Sequence, residues 1–119
     1  MLIGRGGFDT ADYTFFTNVT PTIGIIGNLT TGTVTDSWGN TDTLISIEAV
    51  RGSAFNDTLT GSDTAVFESF EGREGNDTLD GLGGTDRADY FAALAGINAD
   101  LISGRAEDGY GGVDTLRNI

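Results

Sequence analysis

Single apolar residues recur along this chain two places after an acid, in otherwise polar, glycine-rich surroundings. Asp57, Glu68, Asp77 and Asp86 are followed two residues on by Leu59, Phe70, Leu79 and Ala88. The last three acids stand nine residues apart, and the first step is two longer. A polar turn leading into a very short strand with one inward side chain fits this pattern. Period-two alternation in Ile97-Asn98-Ala99-Asp100-Leu101 and in Leu44-Ile45-Ser46-Ile47 predicts half-buried strands. No segment shows a helical stripe, and Gly and Asn-Asp pairs interrupt the chain too often for one. The pattern predicts an all-β structure.

The same elements return at long range. Gly6-Gly7-Phe8-Asp9-Thr10-Ala11-Asp12-Tyr13 recurs as Gly83-Gly84-Thr85-Asp86-Arg87-Ala88-Asp89-Tyr90, 77 residues on. Leu29-Thr30-Thr31-Gly32 matches Leu101-Ile102-Ser103-Gly104, and Asp42-Thr43-Leu44 matches Asp114-Thr115-Leu116, both 72 residues on. The first copy therefore carries five extra residues, placed near Pro21. We read residues 1–119 as one module: two partial repeats, 4–53 and 81–119, flank a turn-rich block, 52–89. Ile119 matches Ile47, so the second copy stops mid-repeat. That is expected of an excerpt from a longer array, or of a subunit that stacks end to end. Whether residues 14–47 join the main winding or form a side sheet stays open at this level.

Composition narrows the chemistry. With 38% apolar residues and 19 glycines among 119, the core is thin and some further staple is expected. The absence of cysteine and histidine excludes disulfides, thiolate sites, the usual zinc and copper ligand sets and most nucleophile-base pairs. Hard oxygen ligands remain. Eighteen acidic against six basic residues give a formal charge of −12, which repels nucleic acid and attracts cations. No stretch approaches the roughly 20 apolar residues of a membrane-spanning helix.

The clearest stretch runs Gly72-Arg73-Glu74-Gly75-Asn76-Asp77-Thr78-Leu79-Asp80-Gly81-Leu82-Gly83-Gly84-Thr85-Asp86-Arg87-Ala88-Asp89. It resembles two consecutive nonapeptides, Gly-Gly-x-Gly-x-Asp-x-apolar-x, of the RTX (repeats-in-toxin) calcium-binding proteins. Arg73 and Leu82 stand where that pattern has glycine. Glycine-rich turns let successive carbonyls point at one spot, the aspartate adds charge, and Ca²⁺ takes six to eight such oxygens. The Ala-Asp-Tyr, Asp-Thr-Leu and Gly-Ser-Ala-Phe-Asn-Asp-Thr-Leu elements resemble the spacers between such blocks.

The resemblance implies a right-handed parallel β-roll with interspersed longer β segments, in which turns two nonapeptides apart share an ion. On that basis Glu68 pairs with Asp86 across one edge and Asp57 with Asp77 across the other. The implied carbonyl ligands are those of Gly72, Glu74, Gly75, Gly81 and Gly83, with Asp9 and Asp114 as half-sites near the ends. Asp12, Asp36, Asp80 and Asp89 read instead as outward or turn-supporting residues, and the aromatics as core or cap residues.

The expected function is a non-catalytic, calcium-binding module that folds on Ca²⁺ in a secreted or cell-surface bacterial protein, of the kind exported by type I secretion. Its expected partners are calcium ions and neighbouring repeats, without nucleic acid or membrane insertion. Two alternatives stand beside it. One is a structural or adhesive spacer that assembles with further copies of itself. The other is a carbohydrate-binding or carbohydrate-modifying domain that meets a surface glycan through Trp38 or Tyr110.

Overall fold

A computed structural model describes residues 1–15, 20 and 22–119. Phe16 and the insertion point at Pro21 lie outside the described residues. Thirteen short strands are found among the described residues, and no helix. In chain order they are Leu2–Ile3 (β1), Thr10–Asp12 (β2), Ile26–Asn28 (β3), Thr33–Thr35 (β4), Thr41–Ile45 (β5), Ala49–Arg51 (β6), Thr58–Ser62 (β7), Phe67–Glu71 (β8), Thr78–Leu82 (β9), Thr85–Ala88 (β10), Asn98–Asp100 (β11), Arg105–Glu107 (β12) and Val113–Arg117 (β13). The all-β expectation is met.

From β5 to β10 successive strands alternate between a nine-stranded and a four-stranded sheet. The large sheet runs β1-β5-β4-β3-β7-β9-β13-β12-β11 and the small one β10-β8-β6-β2. Every pair in the small sheet is parallel, as are β1–β5, β3–β7, β7–β9 and β9–β13 in the large one. The order shows the duplication directly: β1-β5-β4-β3 and β9-β13-β12-β11 are the same block twice, joined through β7.

Parallel pairing is not uniform: β3-β4-β5 and β11-β12-β13 are antiparallel meanders, so the large sheet is mixed. Only a few residues separate β3 from β4 and β11 from β12, and a parallel crossover needs a dozen or more. Gly32 and Gly104 hold φ at 64° and 67° in these turns. Each carbonyl receives an equivalent N–H, from Leu44 at 2.7 Å and Leu116 at 2.8 Å. Residues 26–45 therefore extend the large sheet.

The apolar residue two places after each turn acid points between the sheets. Leu59, Phe70 and Leu79 are fully buried, Ala88 packs against the same cluster, and Ala11, Val50, Leu44 and Leu116 complete it. Burial of each large side chain stabilises the fold by about 1.5–3 kcal/mol. Of the aromatics, Phe70 and Tyr13 lie in this core and Tyr90 packs on it. Phe8, Phe15, Phe67 and Trp38 are exposed, contrary to a core or cap role, because a core one side chain thick has no room for them.

Candidate metal centre

Each turn acid stands just before a strand (Asp9, Glu48, Asp57, Asp77) or at its second position (Glu68, Asp86, Asp114), so strand register stacks the acids in rows. On the large sheet, Thr58, Thr78 and Thr115 lie in register, which sets Asp57, Asp77 and Asp114 side by side. On the small sheet, Thr10, Ala49, Ser69 and Arg87 lie in register, which aligns Asp9, Glu48, Glu68 and Asp86. Both cross-turn pairs read from the sequence, Asp57 with Asp77 and Glu68 with Asp86, are thus neighbours.

The rows are strapped through backbone N–H groups. Ile25 N–H donates to Asp57 Oδ1 at 2.7 Å, Asp57 N–H to Asp77 Oδ1 at 2.8 Å, and Asp77 N–H to Asp114 Oδ1 at 3.0 Å. The adjoining asparagines strap in the other sense: Asn76 N–H donates to Asn56 Oδ1 and Val113 N–H to Asn76 Oδ1, both at 2.8 Å. Asp9 N–H donates to Glu48 Oε2 at 3.0 Å in the second row. Ser62 donates to Glu68 through its N–H at 2.9 Å and its hydroxyl at 2.6 Å.

Glycines make room for the carboxylates. A methyl group at Gly52 or Gly72 would overlap Asp57 Oδ2 or Asp77 Oδ2, and one at Gly81 would lie 2.5 Å from Asp86 Oδ2. Gly75, with φ at 125°, turns the chain between Gly72 and Asp77. Glu74 is half-buried in that turn, and Gly83 belongs to the turn between β9 and β10. Arg73 and Leu82 hold φ at 78° and 62°, the left-handed conformation that glycine adopts without cost.

Three oxygens stand out. Asp77 Oδ2, Asp86 Oδ1 and Asp108 Oδ2 are buried and accept no hydrogen bond, whereas Asp57, Glu68 and Asp114 have donors on both oxygens. Asp108 departs from the glycine-then-acid pattern, because its glycines follow it. Its Oδ1 accepts the N–H groups of Tyr110, Gly111 and Gly112 at 2.8, 3.0 and 2.9 Å. Asp36, its counterpart 72 residues earlier, accepts Trp38 and Asn40 in the same way, which was the available signal. Glu48 carries no glycine-turn signal, because Ser46-Ile47 precedes it. Its offset of 20 from Glu68 would have found it.

Burial is the main cause of raised carboxyl pKa values along the first row. Asp57 is pushed up to about 6, and Asp77 to about 8, where the neighbouring charges of Asp57, Asp114 and Asp108 add to desolvation. Burial also raises Asp114 and Asp86, against the donors each receives.

Comparison with known proteins gives no match: no family model fits the sequence, and no curated protein or solved structure is similar to it.

Among the described residues no three acidic side chains converge into a ready-made metal cluster. A cation here would take one or two carboxylates and complete its shell from backbone carbonyls. A buried carboxylate oxygen without a donor costs roughly 1–3 kcal/mol or more, and either a proton or a cation relieves it. Asp77, Asp86 and Asp108, in glycine turns without nitrogen or sulfur ligands, fit a hard cation that tolerates irregular geometry.

Proposed function

We propose that this chain is a calcium-binding module of β-roll type, ordered by Ca²⁺ held between neighbouring turns. Asp77 carries the proposal: it is buried within a row of acids, turns one unpartnered oxygen beside Gly72, and is raised to about 8 by its surroundings. Asp77 and Asp86 would supply carboxylate oxygens, Asp108 a further one, and the Gly72–Gly75 and Gly81–Gly83 turns the carbonyls. Asp57, Asp114 and Glu48 then act chiefly as straps that hold adjacent turns at the spacing a shared ion needs, while Asp9 and Glu68 accept donors within their own turns.

The charge of −12 opposes the compact state, and Ca²⁺ between the turns offsets it, so binding free energy becomes folding free energy. Such coupling suits a secreted or cell-surface protein that meets calcium only outside the cell. The module binds rather than catalyses.

Isothermal titration calorimetry tests the assignment. The wild type should bind Ca²⁺ in preference to Mg²⁺, and Asp77→Asn with Asp86→Asn together should weaken it at least about tenfold. Equal binding by the double variant would overturn these two residues as ligands.

A further inference from the structure

The internal duplication allows each end of the molecule to be compared with its own interior. In the first copy, the outer edge of β3 pairs in parallel with β7, and β2 pairs with β6. In the second copy the equivalent edges, those of β11 and β10, end their sheets. The consequence shows residue by residue. Ile25 is 0% exposed, and its counterpart Ile97 is 46% exposed. Leu29 packs against the core, whereas Leu101 is 62% exposed. A methyl group at Gly24 would meet Asn56 and Asp57, and one at Gly96 would meet nothing. Ile102 is fully exposed where Thr30 donates to the Gly61 carbonyl at 2.9 Å.

The opposite end presents strands of the matching kind. β1 is the counterpart of β9: Gly4 abuts Asp9 and the Ser46 carbonyl as Gly81 abuts Asp86 and the Asn118 carbonyl. β9 pairs on its outer side with β7, and β1 ends its sheet. β1 and β2 are consecutive strands, one in each sheet, as are β6 and β7.

We infer that the β10–β11 end docks the β1–β2 end of a second copy of this chain, head to tail. In that arrangement the incoming β2 takes against β10 the place that β6 takes against β2, and the incoming β1 takes against β11 the place of β7. Strand direction is preserved in both sheets, and Ile97, Leu101, Met1 and Ile3 lose their exposure. The contact is heterologous, so it propagates into a filament instead of closing. It brings Asp9 of one copy beside Asp86 of the next, and a divalent cation or high salt favours it.

Because the chain has no cysteine, cross-linking gives a direct test. Register puts Ala99 opposite Leu2 of the next copy, so chains carrying Ala99→Cys and Leu2→Cys are mixed under mild oxidation, with calcium and, in parallel, with chelator plus high salt. The mixed disulfide should exceed either homodimer by about tenfold, and Ile97→Lys should weaken self-association in sedimentation by about tenfold. Linkage in chelator plus high salt supports the docking even where the calcium reading fails. A statistical mixture of the three dimers overturns the docking, as does a folded monomer at every concentration in both buffers. A monomer that instead captures a peptide of residues 46–62 overturns the second copy as the occupant.

Discussion

The Tyr90 hydroxyl donates to Asp114 Oδ2 at 2.8 Å, and the Tyr13 hydroxyl donates to Asp42 Oδ2 at 3.0 Å. The partners are 24 residues apart in one copy and 29 in the other, so the five extra residues of the first copy are absorbed without loss of the bond. Burial raises both phenols above their usual pKa, and the accepting carboxylates add to it. Both stay neutral donors. Tyr90→Phe strips the donor from a buried carboxylate and should cost about 1–3 kcal/mol in urea unfolding. Tyr13→Phe should cost less, since Asp42 is only half-buried. Equal, negligible losses would mean that the bond plays no part in holding the repeat.

Glycine in these turns serves space as much as flexibility. Gly72→Ala forces a methyl group onto Asp77 Oδ2 and should destabilise by about 1–3 kcal/mol, while Gly6→Ala, which meets open space, should stay within about 0.5 kcal/mol. Thermal unfolding of the two variants compares them directly. Indistinguishable midpoints would contradict the packing of Asp77 against Gly72.

Much of this architecture is legible in the acid-x-apolar step, because an acid at a strand's start and an apolar residue two later fix both the turn and the inward face. Asp57-Thr58-Leu59 and Asp77-Thr78-Leu79 give their strands, and the offsets of 77 and 72 give the duplication. The meanders were not legible as antiparallel, since Thr33-Val34-Thr35 and Arg105-Ala106-Glu107 are too short to declare a direction. Which acids keep a free oxygen was hidden too. Asp57 and Asp77 share the same local sequence, but Ile25 and Ser53 saturate the first. Ile25 lies 32 residues from Asp57 and was out of sight, whereas Ser53 stands only four residues before Asp57, where Asp77 has Arg73.

Protonation of the acid row gives the chelated protein an unusual pH response. Folded Asp77 and Asp57 are pushed to about 8 and about 6 against an ordinary value of 3.8. Between these limits the folded state holds protons that the unfolded chain has released, so stability is greatest at acid pH and falls as pH rises through about 8. The melting temperature in chelator should therefore drop from pH 5 to pH 8 (on the order of several degrees). Saturating Ca²⁺, which displaces the proton, should flatten that slope. A melting temperature that rises with pH in chelator would exclude buried, proton-holding acids.

Asp77→Asn separates the two demands on this residue. It removes a buried charge, so the chelated variant at pH 8 should be at least as stable as the wild type. It should also lose most of the calcium-induced stabilisation, read as the change in melting temperature on adding Ca²⁺. Asp36→Asn, in an exposed turn, should keep that response in full. Equal responses from the two variants would remove Asp77 from the metal centre.

Far-UV circular dichroism of the 119-residue chain during a calcium titration, with magnesium as the control, tests the central claim most directly. Ca²⁺, and not Mg²⁺, should raise both the β signal and its melting temperature, and chelator should reverse both. A β spectrum that is present from the start and unchanged by chelator would contradict it, and would leave the glycine turns and their acid rows as a purely structural device.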